Sequence, residues 1–211
     1  MDWYFDFISP FAYLQSTTLA RLEARRPVRR RPILFAALLS HWKHLGPAEI
    51  APKRIWTYAH CVWLAKRHDI PLTMPPMHPF NPLPLLRLAH AAGNTPAVID
   101  RLFRFVWVDG RLPTDAAAFA SLVAECGLEP ATIDAPATKE ALRSAGAEAL
   151  AAGVFGVPSM VVDGRVFWGF DATDMLVDYL DDPVGFDSES MRAASAVPVG
   201  PTRTEARPAA P

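Results

Sequence analysis

The sequence predicts an α/β fold, in which a four-stranded mixed sheet is interrupted by a large all-helical insertion. Two observations predict it. Runs of aromatic and β-branched residues, which favour strands, occur near both ends of the 211-residue chain. Between them, from about residue 38 to 152, apolar residues recur at helical spacing. The order β-α-β, helical segment, β-β-α places a parallel unit and a hairpin in one sheet with helices on its faces.

The first strand and the first helix meet at Ser9-Pro10. Residues 2–8 (DWYFDFI) predict a strand, which Ser9-Pro10 ends. Pro10 suits the first turn of a helix, where its missing N–H costs nothing, and we expect one helix from there to about Leu22. A second strand is predicted over residues 28–35.

The middle of the chain predicts an inserted helical domain over residues 38–152. Thr114 and Gly127 are the expected caps of one of its helices. The proline-rich interval 71–84 is too broken for a helix and predicts a structured surface loop. Helical spacing extends over residues 56–68, 83–92, 98–108, 115–126 and 139–152.

The last part of the chain returns to a strand pattern. Residues 154–162 and 165–168 flank Asp163-Gly164, a strong hairpin signal. A final helix is predicted over residues 172–180. We therefore expect residues 1–37 and 153–181 to form the sheet domain. Residues 182–211, which are rich in Pro and Ala, are expected to be a disordered tail.

Composition excludes several classes of function. The 21 Lys and Arg nearly balance the 22 Asp and Glu, so no net field attracts nucleic acid or an anionic membrane. Five arginines between residues 25 and 31 fit a solvated connection after a helix better than a nucleic-acid patch. The acidic start lacks the basic region of a signal peptide, and no apolar run approaches the roughly 20 residues that span a bilayer. We expect a soluble, cytoplasmic protein.

The cysteines and histidines predict no metal site. Cys61 and Cys126 lie in neither a Cys-x-x-Cys motif nor a cluster with zinc spacing, and both are expected to be reduced core residues. The six histidines are scattered, and the sequence shows no partner that would make one of them an acid or a base.

Ser9 is the first candidate for chemistry. At a strand-to-helix junction, free backbone N–H groups and the helix dipole stabilise an anion such as a thiolate. A serine there forms no disulfide, but its hydroxyl can donate a hydrogen bond to a thiolate that a ligand brings. The structural alternative is that Ser9 only caps the helix.

A second candidate site combines two distant motifs. Gly156-Val157-Pro158 precedes a strand and leaves the backbone of Val157 free to pair with an extended peptide. Gly169-Phe170-Asp171 opens the last helix, whose N–H groups and Asp171 suit the carboxylate and the ammonium of an amino-acid end. Glutathione is such a peptide. The alternative is a plain proline turn and a helix-capping Asp171.

Together these motifs resemble a known family. The stretch from Asp6 to Leu14 (DFISPFAYL) and the block from Val154 to Asp171 look like those of 2-hydroxychromene-2-carboxylate isomerases, relatives of kappa-class glutathione transferases and DsbA-like oxidases. The resemblance covers about residues 2–180 and implies a thioredoxin-like sheet with glutathione as cofactor. It makes Ser9 the catalytic residue beside the glutathione sulfur. It also implies glutathione contacts from Pro10, Phe11, Val157, Pro158, Trp168, Gly169, Phe170 and Asp171.

The resemblance also implies a substrate side. Lys43 and Lys53 match basic positions of the family, and Phe80-Asn81 matches the loop that borders the substrate pocket. The alternatives are two surface lysines and a core phenylalanine. The sequence departs from the family where Pro47, His60 and Trp63 replace the usual Asn, Asp and Arg. These departures fall in the insertion that shapes the substrate pocket.

The function that the resemblance implies is a glutathione-dependent cis-trans isomerase of aromatic-compound degradation. It would act on 2-hydroxychromene-2-carboxylate or a related aromatic acid through a transient glutathione adduct. Relatives of this kind imply a homodimer with a small aromatic carboxylate as its substrate. Two alternatives stay open: a kappa-like glutathione transferase or peroxidase, and a non-catalytic thioredoxin-like module that binds glutathione.

Overall fold

The structure is a computed structural model that describes residues 1–200. Its sheet has four strands in the order β2-β1-β3-β4. These are β1 (Asp2–Phe5), β2 (Arg29–Pro32), β3 (Ser159–Val162) and β4 (Arg165–Trp168). β1 pairs with β2 in parallel, and the other two pairs are antiparallel. The predicted mixed sheet is thereby confirmed.

The register of the sheet brings three chain segments to one edge. Tyr4 near the carboxyl end of β1 pairs with Ser159 at the amino end of β3. Ser159 in turn pairs with Trp168 at the carboxyl end of β4. The segment after β1, the segment before β3 and the segment after β4 therefore lie at the same edge.

The strands are shorter than the sequence pattern predicts, and side-chain chemistry explains each difference. After Phe5 the Asp6 carboxylate accepts a hydrogen bond from the Ile8 N–H, which turns the chain out of the sheet. β2 ends at Pro32 and β3 begins after Pro158, because proline has no N–H to donate to a strand partner. The hairpin turn at Asp163-Gly164 is confirmed.

Two helices, α1 (Pro10–Ser16) and α2 (Leu19–Glu23), replace the single helix that was predicted between the first two strands. The break lies at Thr17-Thr18. Their hydroxyls donate to the carbonyls of Leu14 and Gln15, which offers this part of the backbone an alternative to the helical pattern.

The insertion is helical, as predicted, but three of its five predicted helices begin before the apolar spacing does. Proline occupies one of the first two positions of five of the helices in the insertion, where its fixed φ suits the first turn regardless of the apolar spacing. The proline-rich loop 71–82 contains no helix or strand. The helices are α3 (Phe35–Trp42), a 3-10 turn (Pro47–Glu49), α4 (Ala51–Arg67), α5 (Leu83–Ala91), α6 (Pro96–Trp107), α7 (Ala116–Glu125), α8 (Pro130–Ile133) and α9 (Pro136–Ala151).

One predicted helix cap in this region is wrong, and one predicted domain boundary lies inside a helix. Asp115, not Thr114, caps α7, because its side chain accepts a hydrogen bond from the Ala118 N–H. The expected division between residues 37 and 38 falls inside α3, whose first N–H, that of Phe35, donates to Asp6. The insertion therefore begins while the chain is still tied to the end of β1.

The chain continues as helix beyond the sheet domain. α10 (Thr173–Asp181) is followed by α11 (Pro183–Phe186) and α12 (Glu189–Ser195). Residues 183–186 and 189–195 of the expected tail are therefore helical in the structure. Asp182 and Ser188 cap the two short helices, a local signal that composition alone hides. Residues 201–211 of the expected tail lie outside the described residues.

The core centres on aromatic side chains of β1. Trp3 and Phe5 stack at 4.1 Å between ring centroids, and Phe7 and Phe103 pack beside them at 4.8 Å. No single helix within residues 1–200 is long and apolar enough to cross a membrane. One sharply bent pair, Ala116–Glu125 with Pro130–Ala151, meets that test only when both members are counted together.

Candidate active site

Ser9 lies buried at the start of α1, with 7% of its surface exposed. Its Oγ accepts a hydrogen bond from the Ala12 N–H at 3.2 Å, so it does cap the helix. Its own N–H donates to the Asp6 carbonyl at 3.1 Å. Because the capping bond uses only a lone pair of Oγ, the hydroxyl hydrogen remains available to donate. Capping and binding are therefore compatible roles for this serine.

Val157 and Pro158, which are joined by a cis peptide bond, precede β3 at the same edge of the sheet as the segment that follows β1. The Pro158 carbonyl accepts a hydrogen bond from the Gly169 N–H at 2.9 Å, which ties this motif to the turn after β4. Within residues 1–200, neither backbone polar group of Val157 takes part in a hydrogen bond. Val157 thus presents an N–H and a carbonyl that a peptide ligand can use.

The turn from Gly169 to Asp171 leads into α10. Gly169 has a φ of +100°, and a Cβ placed there would lie 2.4 Å from an Asp171 carboxylate oxygen, so only glycine fits. The N-cap of α10 is Ala172, which makes no side-chain capping bond. Asp171 lies one residue before this N-cap, and its exposed side chain accepts no hydrogen bond from α10 in the described structure, so the plain capping role that was its structural alternative is not seen. Phe170 is buried and packs edge-on against His68 at 5.4 Å.

Trp168 covers Gly156 at the end of β4. A Cβ on Gly156 would lie 2.4 Å from the indole Nε1, so the indole packs directly on the glycine backbone. Trp168 remains 54% exposed and meets Phe155 edge-on at 5.3 Å. The indole therefore forms an exposed aromatic wall next to the Val157-Pro158 backbone.

A cavity of about 620 Å³ opens beside this edge. Ile8 and Phe11, which flank Ser9-Pro10, line it, whereas Ser9 itself does not. Most of the remaining wall comes from the first part of the insertion, and this wall includes Pro47, one of the departures from the family pattern. The cavity-lining residues used below are Asp6, Lys43, Glu49, Tyr58, His78 and Phe80.

The four residues that the resemblance assigned to the substrate divide into two pairs. Lys43 and Phe80 line the cavity. Lys53 lies exposed on the first turn of α4, outside the cavity lining. Asn81 also lies outside it, and its Oδ1 accepts a hydrogen bond from the Leu83 N–H at 3.1 Å, which supports the start of α5. His60 and Trp63 are likewise absent from the lining and stack on each other.

Asp6 is a buried acid in the cavity floor that the sequence analysis did not assign. Its two carboxylate oxygens accept hydrogen bonds from the Ile8 N–H at 3.1 Å and the Phe35 N–H at 2.9 Å. Burial raises the pKa of Asp6 to about 7, against the lowering effect of these backbone bonds. Asp6 holds the Ser9 loop to the first turn of α3. The only sequence signal is an acid within an apolar run.

Tyr58 and His78 form a second polar group that the sequence analysis left unassigned. Tyr58 Oη lies 2.7 Å from His78 Nδ1, and His78 Nε2 lies 2.7 Å from the Ile8 carbonyl oxygen. Burial lowers the pKa of His78 and raises the pKa of Tyr58, so both side chains favour their neutral forms. Tyr58 lies 20 positions from His78 in the sequence, and His78 lies 70 positions from Ile8. No local sequence pattern therefore indicates these contacts.

The cysteines are unsuited to nucleophilic chemistry here. Burial raises the pKa of the Cys61 thiol to about 12, so it stays protonated near neutral pH. Burial also raises the pKa of Cys126. Among residues 1–200, no group of three or more His, Cys, Asp or Glu side chains is arranged to hold a metal ion.

Comparison with known proteins gives the family. Residues 1–181 match the DSBA-like thioredoxin domain. The chain is 31% identical over 191 residues to a 2-hydroxychromene-2-carboxylate isomerase of Sphingobium xenophagum, which covers 86% of this chain and 98% of that protein. Over 80 residues it is 31% identical to glutathione S-transferase kappa 1 of Caenorhabditis elegans, a match that covers 36% of this chain and 35% of that one.

A solved structure shows the same fold. The structure of a 2-hydroxychromene-2-carboxylate isomerase superposes with a TM-score of 0.74 at 22% identity, covering 93% of this chain and 98% of the other. The chain therefore belongs to the DsbA-like thioredoxin family and, within it, to the 2-hydroxychromene-2-carboxylate isomerases.

Proposed function

We propose that this protein is a glutathione-dependent isomerase that acts on 2-hydroxychromene-2-carboxylate or a related aromatic acid. One observation carries the proposal: the three segments suited to glutathione meet at one sheet edge, next to a largely apolar cavity. The family membership supports the reaction class. The partial match to a kappa-class glutathione transferase supports the cofactor.

The residues at the edge fit a glutathione molecule. Val157 offers the backbone N–H and carbonyl that pair with an extended peptide. The first N–H groups of α10 suit the γ-glutamyl carboxylate, and the exposed Asp171 suits its ammonium. Trp168 supplies the wall between these polar contacts. Ser9 would then lie next to the sulfur.

Different residues of the chain would act on the glutathione sulfur and on the substrate carboxylate. When bound, glutathione would supply a thiolate nucleophile for reversible addition to the conjugated double bond, which would permit rotation about that bond. The Ser9 hydroxyl donates to the sulfur and thereby favours its anionic form. Lys43 lines the cavity and would pair with the substrate carboxylate and with the negative charge that develops near it.

Product analysis tests this proposal against the kappa-like alternative. The full chain is incubated with 2-hydroxychromene-2-carboxylate, with and without glutathione, and both the substrate isomers and free glutathione are quantified by chromatography. We expect isomerisation only with glutathione, and full recovery of the glutathione. Its stoichiometric consumption would establish a transferase or a peroxidase instead.

A binding measurement tests the non-catalytic alternative. A ligand that binds only the folded state raises the melting temperature. We expect glutathione to raise the melting temperature and the enzyme to turn the substrate over. A thermal shift without turnover would support a binding module, and no shift at all would contradict the glutathione site. The cytoplasmic homodimer that the resemblance implies stays a proposal, which light scattering and cell fractionation test.

A further inference from the structure

The Tyr58 and His78 pair has a hydrogen-bond pattern that fixes its protons. The Ile8 carbonyl can only accept, so His78 Nε2 carries a hydrogen and donates across 2.7 Å. In the neutral ring, Nδ1 is then an acceptor, and the Tyr58 hydroxyl donates to it across 2.7 Å. The second acceptor near Tyr58, the His78 carbonyl at 3.0 Å, lies on the same residue.

This pattern leaves Tyr58 Oη able to accept a hydrogen bond. The Tyr58 hydrogen points to His78 in either arrangement, so the lone pairs of Oη remain for an occupant of the cavity. Both side chains line that cavity, and both are only partly buried. Tyr58 can therefore accept a proton from a ligand hydroxyl while it passes its own proton to His78.

The pair is also placed beside the proposed chemistry. His78 donates a hydrogen bond to the carbonyl of Ile8, the residue before Ser9. The Tyr58 and His78 pair is therefore hydrogen-bonded to the loop that carries Ser9. Lys43 is the single lysine or arginine among the lining residues, all of which lie in the described part of the chain. Glu49, an acidic residue of the same cavity lining, accepts a hydrogen bond from the Gly46 N–H at 2.5 Å. A carboxylate bound to Lys43 would place the rest of a small aromatic acid within the same cavity.

We propose that Tyr58 is a further catalytic residue, which moves a proton between two oxygens of the substrate, and that His78 is its positioning residue. This inference rests on the proposed function. In 2-hydroxychromene-2-carboxylate, one carbon carries both a hydroxyl and the ring oxygen. Opening the ring requires the hydroxyl to lose a proton and the ring oxygen to gain one. Both oxygens are bonded to the same carbon, so one tyrosine hydroxyl can reach both.

The step balances without any other reactant. The substrate O–H bond breaks as Tyr58 Oη takes the proton, and the Tyr58 proton passes to His78 Nδ1. The electron pair left on the substrate oxygen forms a carbonyl, while the bond to the ring oxygen breaks and leaves its pair there. The proton then returns from His78 through Tyr58 to that phenolate oxygen. The open form has the double bond that must rotate.

Two substitutions test the relay. Tyr58→Phe removes the hydroxyl and keeps the ring. His78→Gln keeps an N–H for the Ile8 carbonyl but removes the basic nitrogen. Because positioned proton transfer contributes about 10²-fold or more, we expect each variant to lower kcat by about that factor. KM and the glutathione Kd, measured by calorimetry, should stay within about threefold of the original values, a split that a merely structural role does not produce.

The double variant shows whether the two residues act as a unit. Residues that serve one step lose no more together than the worse single variant does, whereas independent residues lose the product of both effects. We expect the first result. The chain offers matched controls. Tyr13→Phe removes a hydroxyl that donates to the Pro71 carbonyl. His90→Gln alters a histidine whose Nε2 lies 2.9 Å from the Pro32 carbonyl. Both residues lie outside the cavity lining, and kcat should not change.

The outcomes separate this inference from the proposed function. If the original chain isomerises the substrate and Tyr58→Phe keeps its kcat, only the relay is overturned. Multiplicative losses in the double variant, or equal losses of turnover and glutathione affinity, overturn it too. If the original chain shows no isomerisation, the proposed function fails first. Nitrogen-15 chemical shifts of His78 then still test the hydrogen-bond pattern from which the relay is inferred, because a hydrogen on Nδ1 contradicts that pattern and a hydrogen on Nε2 supports it.

Discussion

Gln15 on α1 donates a hydrogen bond from Nε2 to the Gly169 carbonyl at 3.0 Å, joining positions that are 154 residues apart. Its Nε2 also lies 3.2 Å from the Thr173 hydroxyl, and its Oε1 accepts from the Trp3 indole at 2.8 Å. The side chain is buried, with 1% of its surface exposed. The helix that begins at Ser9 and the turn that leads into α10 are therefore fixed relative to each other by a satisfied polar network.

Breaking this network should affect both stability and binding. In Gln15→Met the side chain keeps a similar length, but the Gly169 carbonyl and the Trp3 N–H lose their partner. Each unpaired buried group costs about 1–3 kcal/mol, so we expect a loss of at least 1 kcal/mol in denaturant unfolding. The glutathione Kd, measured by calorimetry, should rise because the turn is less well held. An unchanged Kd would show that the turn is positioned without Gln15.

Ser9→Ala tests the catalytic serine. Losing the cap should cost about 1 kcal/mol of stability, while the glutathione-dependent turnover should fall much more, because the donor to the sulfur is gone. Ser188→Ala is the matched control, since Ser188 caps α12 in the same way and lies outside the cavity lining. Because α12 buries no side chain, this change should cost less stability than Ser9→Ala, and it should cost no turnover. Equal turnover in the two variants would exclude Ser9 as the group that stabilises the thiolate.

Gly156→Ala tests the wall formed by Trp168. The new methyl would meet the indole Nε1 at 2.4 Å, and the half-exposed indole should move aside. We expect weaker glutathione binding with a small change in melting temperature. Gly146→Ala is the control, because that glycine lies within α9 with no atom near its added Cβ. It should raise stability by about 0.5–1 kcal/mol and leave the Kd unchanged.

Lys43 lines the cavity, whereas Lys53 does not. Lys43→Gln should raise the KM for the aromatic acid and leave the glutathione Kd unchanged, because Lys43 lines the cavity proposed to hold the substrate. Lys53→Gln should change neither constant, since Lys53 lies outside the lining. Lys66→Gln, in the last turn of α4, is the control for the loss of a surface charge. A larger effect on KM from Lys53 than from Lys43 would contradict this assignment.

Asp6 should make stability depend on pH. Its pKa is raised from 3.8 to about 7 in the folded state, so the folded chain binds the extra proton between these values. Stability from this group is therefore complete below pH 4 and is lost as the pH rises through 7. A difference of about 3 pKa units corresponds to about 4 kcal/mol as an upper bound.

Urea unfolding of the original chain and of Asp6→Asn between pH 4 and 8 measures this effect. The difference between the two chains isolates Asp6 from the other titrating groups. The variant lacks the titration, so the original chain should lose stability relative to it as the pH rises. A difference that stays constant over this range would show that Asp6 ionises at its ordinary pKa.

Much of the fold followed from the sequence, because periodicity and turn chemistry are local. The order of strands and helices and the Asp163-Gly164 hairpin were predicted from neighbouring residues alone. The ends of the elements were not. Strand β1 stops where Asp6 turns the chain, and Thr17-Thr18 divide a helix that apolar spacing makes continuous. Side-chain bonds to the backbone decide these positions, and hydrophobic patterns do not record them.

The candidate site divides in the same way. Ser9, Val157 and Asp171 stand in motifs with a recognisable chemical purpose, so they could be proposed as site residues from the sequence alone. Tyr58 and His78 could not be proposed from the sequence, because their proposed role depends on a hydrogen bond between residues 20 positions apart. The location of Lys53 and Asn81 outside the lining likewise depends on how the insertion packs. Residues without a motif acquire a role only through tertiary structure.

The origin of the cavity wall has an evolutionary consequence. The segments proposed to hold glutathione precede residue 12 or follow residue 153, whereas much of the wall comes from residues 34–82. Mutations in the wall can therefore change which acid is accepted while the hold on glutathione is inherited intact. Pro47, a departure from the family pattern, lies in this wall. Selection on such a chain can explore new substrates without rebuilding the part that activates the sulfur.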